Sequence, residues 1–316
     1  MNYSLIIPFY NEENNVQNLV DEILVNLKKI KNDNRNFQLI FIDDGSKDTT
    51  FEKLKSNITK DFSSVIIKHK NNYSQSTAIL TGIFNSKYEN IITLDGDGQN
   101  DPKDIEKLLK EYEKGSDMVI GWRKNRRDNF FTKTFPSYLA NYIVRKFTNS
   151  KIHDHGCALK IFKKNKLDDL NNWGDFHRLL AARFSYNDYI VKEIPVNHNE
   201  RIYGKSNYGF FRVIYVILDL LYIKLFKNYK TKSIYFFGLF GFLSFLFSFL
   251  VFLLMIYLKY AYGTSFILTP LPILSVFLFM CGLIFLFIGF ISHLITNQSK
   301  TIDNRENNIA EKIEFP

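Results

Sequence analysis

The feature that most constrains this chain is a stretch from Ser233 to Ser292 that is almost wholly apolar and contains one charged residue, Lys259. Its first part is uncharged for roughly 26 residues, long enough as a helix to cross a hydrocarbon core of about 30 Å. After a short polar turn, a second uncharged run passes through Pro272, which suits the first turn of a helix. We therefore predict two transmembrane helices over 233–292. A pair of buried core helices is the alternative.

Basic residues flank this stretch on both sides and are scarce between its two runs. They are Lys224, Lys227, Lys230 and Lys232 before it, and Lys300 and Arg305 after it. Because cytoplasmic loops are enriched in Lys and Arg, this pattern predicts that both termini are cytoplasmic. Met1 leads directly into a strand-like run, so we expect no signal peptide. The prediction is an integral membrane protein, of the inner membrane if the source is bacterial, with a cytoplasmic soluble part.

The soluble part alternates short apolar runs with helical patterns. Strands are predicted at Tyr3–Ile7, Phe37–Asp43, Ser64–His69, Asn90–Leu94 and Met118–Gly121, and helices at Val16–Lys31, Asp48–Asn57, Ser74–Phe84 and Asp101–Lys114. This alternation predicts an α/β fold with a Rossmann-like, mostly parallel sheet. Such sheets bind ligands beyond the carboxyl ends of their strands.

Acidic turns follow three of the predicted strands. They are Pro8–Glu13, Asp43–Asp48 and Asp95–Pro102. Asp, Asn and Gly are common in ordinary turns, so one such segment has a purely structural explanation. Three of them at one edge of one sheet favour a binding site.

The sharpest chemical feature is the pair Asp95 and Asp97, separated by Gly96. Residues two apart in an extended segment face the same side, so both carboxylates can approach one cation. Carboxylate oxygens suit Mg²⁺ or Mn²⁺, and Gln99 adds a neutral oxygen. We predict a divalent metal site formed by Asp95, Asp97 and Gln99.

Together these motifs resemble the family 2 glycosyltransferases, which have the GT-A fold. The resemblance is to the polyprenyl-phosphate branch, which includes dolichol-phosphate mannose synthase and bacterial undecaprenyl-phosphate sugar transferases. The matching segments are Ile6–Glu13, Ile42–Asp48, Gln75–Ala78 and Asp95–Pro102. The resemblance implies metal-dependent, inverting transfer of a sugar from a UDP- or GDP-linked donor to a polyprenyl phosphate.

The resemblance also implies which residues bind the nucleotide. They are Pro8, Tyr10, Glu12, Asp43, Asp44 and Asp95, with Asp44 hydrogen-bonding the base and Asp43 helping. One departure is the segment Asn71–Ser74, where the family often has Arg-Asn-Phe-Gly. The missing Arg and Gly put base or ribose contacts there in doubt.

On the acceptor side, the resemblance implies basic residues that hold the lipid phosphate and the donor diphosphate. The candidates are Arg123, Lys133, Ser137, Arg201 and Lys205. The predicted catalytic residues are Asp97, Arg123 and Asp154, of which Asp154 orients the acceptor or the sugar. A catalytic base is not required, because a lipid phosphate is ionised near neutral pH. We expect His155 and His177 to be structural or orienting.

The predicted organisation is a catalytic domain over 1–207, an amphipathic interfacial helix and linker over 208–232, two membrane helices over 233–292 and a polar, flexible tail over 293–316. A net charge of +9 fits anionic lipid and phosphate partners, and no motif indicates nucleic acid. Homo-oligomerisation through the helices stays open. The alternatives are a processive polysaccharide synthase, which uses a Gln-x-x-Arg-Trp motif that is absent here, and a non-catalytic membrane scaffold.

Overall fold

A computed structural model describes residues 1–31, 35–57, 61–124, 135–148, 150–167, 176–199, 233–298 and 308–315. The chain divides into two compact units. One comprises Met1–Leu220 and Asn304–Pro316, and the other comprises Leu221–Asp303. The predicted interfacial helix over 208–232 lies outside the described residues.

The first unit is built on an eight-stranded sheet. Its strands are β1 Asn2–Phe9, β2 Asn36–Asp43, β3 Ser63–His69, β4 Asn90–Thr93, β5 Met118–Trp122, β6 Lys160–Lys163, β7 Val191–Pro195 and β8 Ile309–Phe315. They lie in the order β7-β5-β6-β4-β1-β2-β3-β8. The β1–β2, β1–β4, β2–β3 and β5–β7 pairs are parallel, whereas β6 is antiparallel to β4 and β5 and β8 is antiparallel to β3. The predicted mostly parallel sheet is confirmed.

Helices of this unit connect the strands. They are α1 Val16–Ile30, α2 Thr50–Asn57, α3 Gln75–Phe84, α4 Asp104–Tyr112, α5 Phe135–Thr148 and α6 Phe176–Tyr186. Helix α1 buries residues at helical spacing, such as Leu19, Ile23 and Leu27, which places them on one face towards the core. Strand β1 is buried from Tyr3 to Phe9, as expected for a central strand covered on both faces. The five predicted strands and four predicted helices are therefore present.

Strand β8 corrects one expectation. The prediction of a flexible tail is wrong over 309–315, where the chain forms the outermost strand beside β3. Alternation puts Ile309, Ile313 and Phe315 on one face, and all three pack against the core. Glu311 forms an ion pair with Lys55 at 2.7 Å. The sequence does not predict this strand because it is short and follows the apolar helices, far along the chain from its partner β3.

The second unit contains helix α7 Ser233–Tyr262 and helix α8 Leu271–Gln298. Both are long and apolar enough to cross a membrane, and only 11% of each apolar window is buried. That exposure argues against the alternative of two buried core helices. The helices pack closely, since a β-carbon on Gly241 would lie 3.1 Å from the carbonyl oxygen of Gly282. The Ser248 hydroxyl donates to the carbonyl of Ser275 at 2.8 Å.

Candidate active site

The sheet topology brings the chemistry-bearing segments to one edge. Strands β1, β2, β4 and β5 point the same way, so their last residues, Phe9, Asp43, Thr93 and Trp122, lie towards the same side. Strand β6 runs the opposite way and begins at Lys160, which pairs with Thr93. The segment before Lys160 therefore reaches the same edge as the three acidic turns.

The turn after β1 shows how the predicted pocket residues differ. Pro8 is buried in the strand, whereas Tyr10 is 37% exposed. The buried Glu12 carboxylate accepts a hydrogen bond from the Asn15 side chain at 2.5 Å, and the Glu12 amide donates to the Thr50 hydroxyl at 2.9 Å. Glu12 thus holds the turn together, and Tyr10 presents its side chain to solvent.

The Asp43 side chain is fully buried, and only one of its two carboxylate oxygens accepts a hydrogen bond among the described residues. Its Oδ1 accepts the amide of Ser46 at 3.0 Å, and its Oδ2 has no hydrogen-bond partner within the described part of the chain. Burial raises the pKa of the Asp43 carboxyl above its ordinary value. A buried acceptor without a partner is costly, so this oxygen suits a donor supplied by a ligand, such as an N–H of a base.

Asp44 is 2% exposed and already engaged. It accepts the backbone amides of Tyr73 at 3.0 Å and Ser74 at 2.9 Å. Its Oδ1 also lies 2.7 Å from Nδ1 of His69. These contacts fix the loop before α3, which is the segment where the sequence departs from the pattern of the family that it resembles. Asp44, predicted to hydrogen-bond the base, is therefore engaged within the protein, whereas Asp43, predicted to help it, keeps one oxygen without a partner among the described residues.

The turn after β4 holds the predicted metal ligands. The Gln75 side-chain amide donates to Oδ1 of Asp95 at 2.5 Å, and the Gln99 backbone amide donates to Oδ1 of Asp97 at 3.0 Å. Burial, reinforced by the negative charge of Asp97, raises the pKa of Asp95 above its ordinary value. Two mutually repelling carboxylates are a fitting environment for a divalent cation.

The donor set matches a cation that shares its coordination with a substrate. Among the described residues, no group of three or more His, Cys, Asp or Glu side chains could hold a metal ion. Asp95, Asp97 and the neutral Gln99 would therefore supply only part of the coordination. Mg²⁺ is often bound in this way, by one or two carboxylates together with substrate phosphates and water.

Arg123, after β5, and Asp154, before β6, form a bidentate ion pair. The guanidinium Nε and Nη2 donate to the two carboxylate oxygens at 2.7 and 2.9 Å. The side chains are 12% and 6% exposed, respectively. The structure thus joins two residues that the sequence predicts separately as catalytic. Asp154, predicted to orient the acceptor or the sugar, is engaged with Arg123 in this structure.

Other acceptor-side candidates are described only in part or not at all. Ser137 lies in α5, and nothing is described of its side chain, while Lys133, Arg201 and Lys205 lie outside the described residues. The chain before Arg201 contacts the predicted metal turn: the amide of Asn199 donates to the carbonyl of Gln99 at 2.8 Å.

Two residues of the site, Gln75 and Lys160, are absent from the site predicted by sequence. Lys160 is 2% exposed and donates to the backbone carbonyl of His177. Burial lowers the pKa of Lys160 to about 8. The positive charge of Lys160 partly offsets the rise in the pKa of Asp95. A single lysine inside the otherwise apolar run Cys157–Phe162 is the signal that could have indicated it. Burial lowers the pKa of His155 to about 3, and neither of its ring nitrogens has a hydrogen-bond partner among the described residues.

Comparison with known proteins agrees with this arrangement. Residues 4–170 match the family model for glycosyl transferase family 2. The chain is 31% identical over 98% of its length to the dodecaprenyl-phosphate galacturonate synthase of Rhizobium johnstonii, of which it covers 92%. It is 34% identical over 69% of its length to the undecaprenyl-phosphate 4-deoxy-4-formamido-L-arabinose transferase of Proteus mirabilis, of which it covers 66%.

Solved structures share the fold at low sequence identity. Glucosyl-3-phosphoglycerate synthase from Mycobacterium tuberculosis, in complex with Mn²⁺, UDP-glucose and phosphoglyceric acid, matches with a TM-score of 0.52 at 11% identity, over 71% of this chain and 78% of that one. Mannosyl-3-phosphoglycerate synthase from Rubrobacter xylanophilus matches with a TM-score of 0.53 at 11% identity, over 72% and 75%. These confirm the predicted GT-A fold. The chain belongs to glycosyltransferase family 2 and is a glycosyltransferase.

Proposed function

We propose that this enzyme transfers a sugar from a UDP- or GDP-linked donor to a polyprenyl phosphate, with inversion, at the cytoplasmic face of a membrane. One observation carries the proposal. The Asp43 carboxylate, which has an oxygen without a hydrogen-bond partner among the described residues, and the Asp95–Asp97 pair lie at the same edge of the sheet. The acceptor class is supported by both relatives described above, which are polyprenyl-phosphate enzymes.

On the donor side, Asp43 would accept an N–H of the base, and Tyr10 would flank the nucleoside. Asp95, Asp97 and Gln99 would hold Mg²⁺ or Mn²⁺. When bound, the cation would neutralise charge on the departing nucleoside diphosphate. A Mn²⁺ and UDP-glucose complex of a protein with this fold supports a divalent cation, without deciding between the two metals.

On the acceptor side, a phosphate oxygen of the lipid attacks the anomeric carbon as the bond from that carbon to the donor diphosphate breaks. The products are the glycosylated lipid phosphate and a nucleoside diphosphate. A phosphate monoester loses its second proton with a pKa of about 6, so its oxygen is already a nucleophile at neutral pH. The enzyme's main tasks are to hold two anions together and to stabilise the leaving group. Arg123, oriented by Asp154, is our candidate for contacting them, with Lys133, Ser137, Arg201 and Lys205 as further candidates.

The connectivity of the sheet supports the proposed membrane topology. Strand β8 follows both apolar helices, yet pairs with β3 of the catalytic sheet. If both helices cross a membrane, the chain returns to the side on which it started, in agreement with the basic residues that flank the helices. The segment Tyr208–Lys232 would then lie at the interface.

The processive-synthase alternative receives less support. The Gln-x-x-Arg-Trp motif is absent from the sequence, and the two candidate membrane helices found among the described residues would form a poor channel for a polymer. The scaffold alternative is disfavoured by the intact Asp95–Asp97 pair and by the family to which the chain belongs.

The reaction can be tested with full-length protein in detergent, Mn²⁺ and undecaprenyl phosphate. We would screen UDP- and GDP-sugars, beginning with a galacturonate donor, and follow nucleoside diphosphate release with and without lipid. Lipid-dependent release from one donor is the expected result. Asp97→Ala should abolish it while membrane insertion stays intact, and retained turnover in that variant would contradict the cation assignment.

The topology can be tested separately by labelling single cysteines in intact cells. A membrane-impermeant maleimide should modify Thr264→Cys, in the turn between the helices, without lysis. It should reach Lys312→Cys on β8 only after lysis. The reverse pattern would overturn the proposed orientation without affecting the assigned reaction.

A further inference from the structure

The nucleoside end and the cation end of the site are joined by a chain of contacts through the start of α3. Asp44, at the end of β2, accepts the amides of Tyr73 and Ser74. The next residue, Gln75, is the first of α3, and its side chain donates to Asp95 at the end of β4. The proposed reaction assigns no role to Gln75.

The backbone at Ser74 makes this connection specific. Ser74 has φ +108° and ψ 154°, a conformation that residues with a β-carbon rarely adopt. Such a conformation persists only when its surroundings hold it in place. Here the amides of Tyr73 and Ser74 both donate to the buried Asp44 carboxylate. Gly45 lets the backbone of Asn71 approach closely, because a β-carbon on Gly45 would lie 2.4 Å from the carbonyl carbon of Asn71. The conformation sets the position from which Gln75 reaches Asp95.

The Gln75 contact fixes one oxygen of the Asp95 carboxylate. Its Nε2 donates to Oδ1 at 2.5 Å, which orients the carboxylate plane and leaves Oδ2 turned to other partners, such as a cation. The neighbouring Ser76 makes a separate contact, since its hydroxyl lies 2.9 Å from Nδ1 of His177 and not at Asp95. Groups that hold a metal ligand in this way govern the affinity of the site.

We propose that Gln75 is a positioning residue for Asp95, and that Asp44 acts through Ser74 to hold Gln75 in place. Cation affinity at the β4 turn then depends on a carboxylate at the nucleoside end that does not itself touch the cation. The inference rests on the proposed function, in which Asp95 and Asp97 are the cation ligands.

The test is Mn²⁺ binding to the full-length protein in detergent, measured by electron paramagnetic resonance of free Mn²⁺, with and without UDP or GDP. Gln75→Ala should weaken Mn²⁺ binding by about 10- to 100-fold. Gln75→Asn, which keeps the amide but is one methylene shorter, should behave in the same way. Asp44→Asn should weaken binding as well, although Asp44 is no ligand.

Ser76→Ala is the matched control, since it alters the same turn without removing the Asp95 contact. It should bind Mn²⁺ within about twofold of the wild type, and thermal melts would verify that each variant is folded. Wild-type affinity in folded Gln75→Ala, with binding lost in Asp97→Ala, would overturn this inference and leave the proposed function intact. An equal loss in Ser76→Ala would also overturn it. Mn²⁺ binding unaffected by Asp97→Ala would instead overturn the cation assignment.

Discussion

A β-carbon on Gly96 would lie 2.6 Å from the carbonyl oxygen of Pro8. Real β-carbons essentially never approach another heavy atom so closely, and a backbone oxygen inside a central strand has little freedom to move. The Phe9 ring would lie equally close. Glycine between the two aspartates is therefore required by the packing of the β4 turn against the end of β1.

Gly96→Ala should consequently displace Asp95 and Asp97, and we expect transfer to fall at least about tenfold, or about 1.4 kcal/mol in the activation barrier. Gly98→Ala is a useful comparison, because no heavy atom lies within 4 Å of a β-carbon there. Its φ of +71° costs an alanine about 1–2 kcal/mol of stability, with less effect on the turn. Steady-state turnover and melting temperature of both variants would check this. Similar activity in the two would contradict the steric argument.

Ser74→Gly should stabilise the enzyme. Relief of the backbone strain contributes about 1–3 kcal/mol. It is offset by about 0.5–1 kcal/mol of chain entropy and by a few tenths for the helix cap. We expect a net gain of about 1 kcal/mol, seen as a rise of about 2–4 °C in the melting temperature. Ser76→Gly, within the helix, should lower the melting temperature instead. A decrease in Ser74→Gly would show that the serine hydroxyl outweighs the strain.

Lys160 should make stability depend on pH. Burial lowers its folded-state pKa to about 8 from 10.5, so the unfolded chain binds more protons between these values. The contribution of this group to the free energy of unfolding therefore rises as pH increases through that window, by at most about 1.4 kcal/mol per pH unit. The melting temperature of the wild type, measured relative to that of Lys160→Met, should therefore rise between about pH 7.5 and 9.5. A constant difference would show that folding leaves the pKa of Lys160 unchanged.

Ile313→Asp should destabilise the catalytic domain, because Ile313 pairs with Ile66 and packs against the core. We expect a loss of about 2 kcal/mol, or about 4–8 °C in melting temperature. Lys312→Asp, at an exposed position of the same strand, should change stability by no more than about 0.5 kcal/mol. Equal effects of the two substitutions would argue against β8 as a packed strand.

The parts of the fold that sequence predicted are those with uniform local patterns. The run from Tyr3 to Ile7 is apolar throughout apart from Ser4, and α1 shows a clear helical period, so both are recognisable in isolation. Strand β6 begins and ends with lysine, and β7 has two adjacent charged residues among its five, so neither stands out. Strand β8 is a short run whose partner lies more than 200 residues away along the chain. Pairing at that distance is tertiary information that no local window contains.

At the site, the sequence indicated the acidic turns but not which of their residues make contacts within the protein and which keep an oxygen without a partner. Asp43 and Asp44 are adjacent and chemically identical, yet one keeps an unsatisfied oxygen and the other is occupied by the loop before α3. The difference arises because successive residues at a strand end point in different directions. Likewise, the pairing of Arg123 with Asp154 depends on β6 running antiparallel beside β5. The missing family glycine at Ser74 was visible in the sequence, but the positive φ that the serine adopts was not.

If the two apolar helices cross a membrane as proposed, the position of strand β8 after them makes completion of the sheet depend on their insertion. The residues of β8 are translated after both apolar helices, so during synthesis the edge of β3 stays open until the second helix has been made. A chain in which only one helix crossed the bilayer would carry β8 on the opposite face from β3 and could not close the sheet. Open strand edges invite aggregation and recognition by quality control. Completion of the sheet would thereby distinguish correctly inserted chains from misinserted ones.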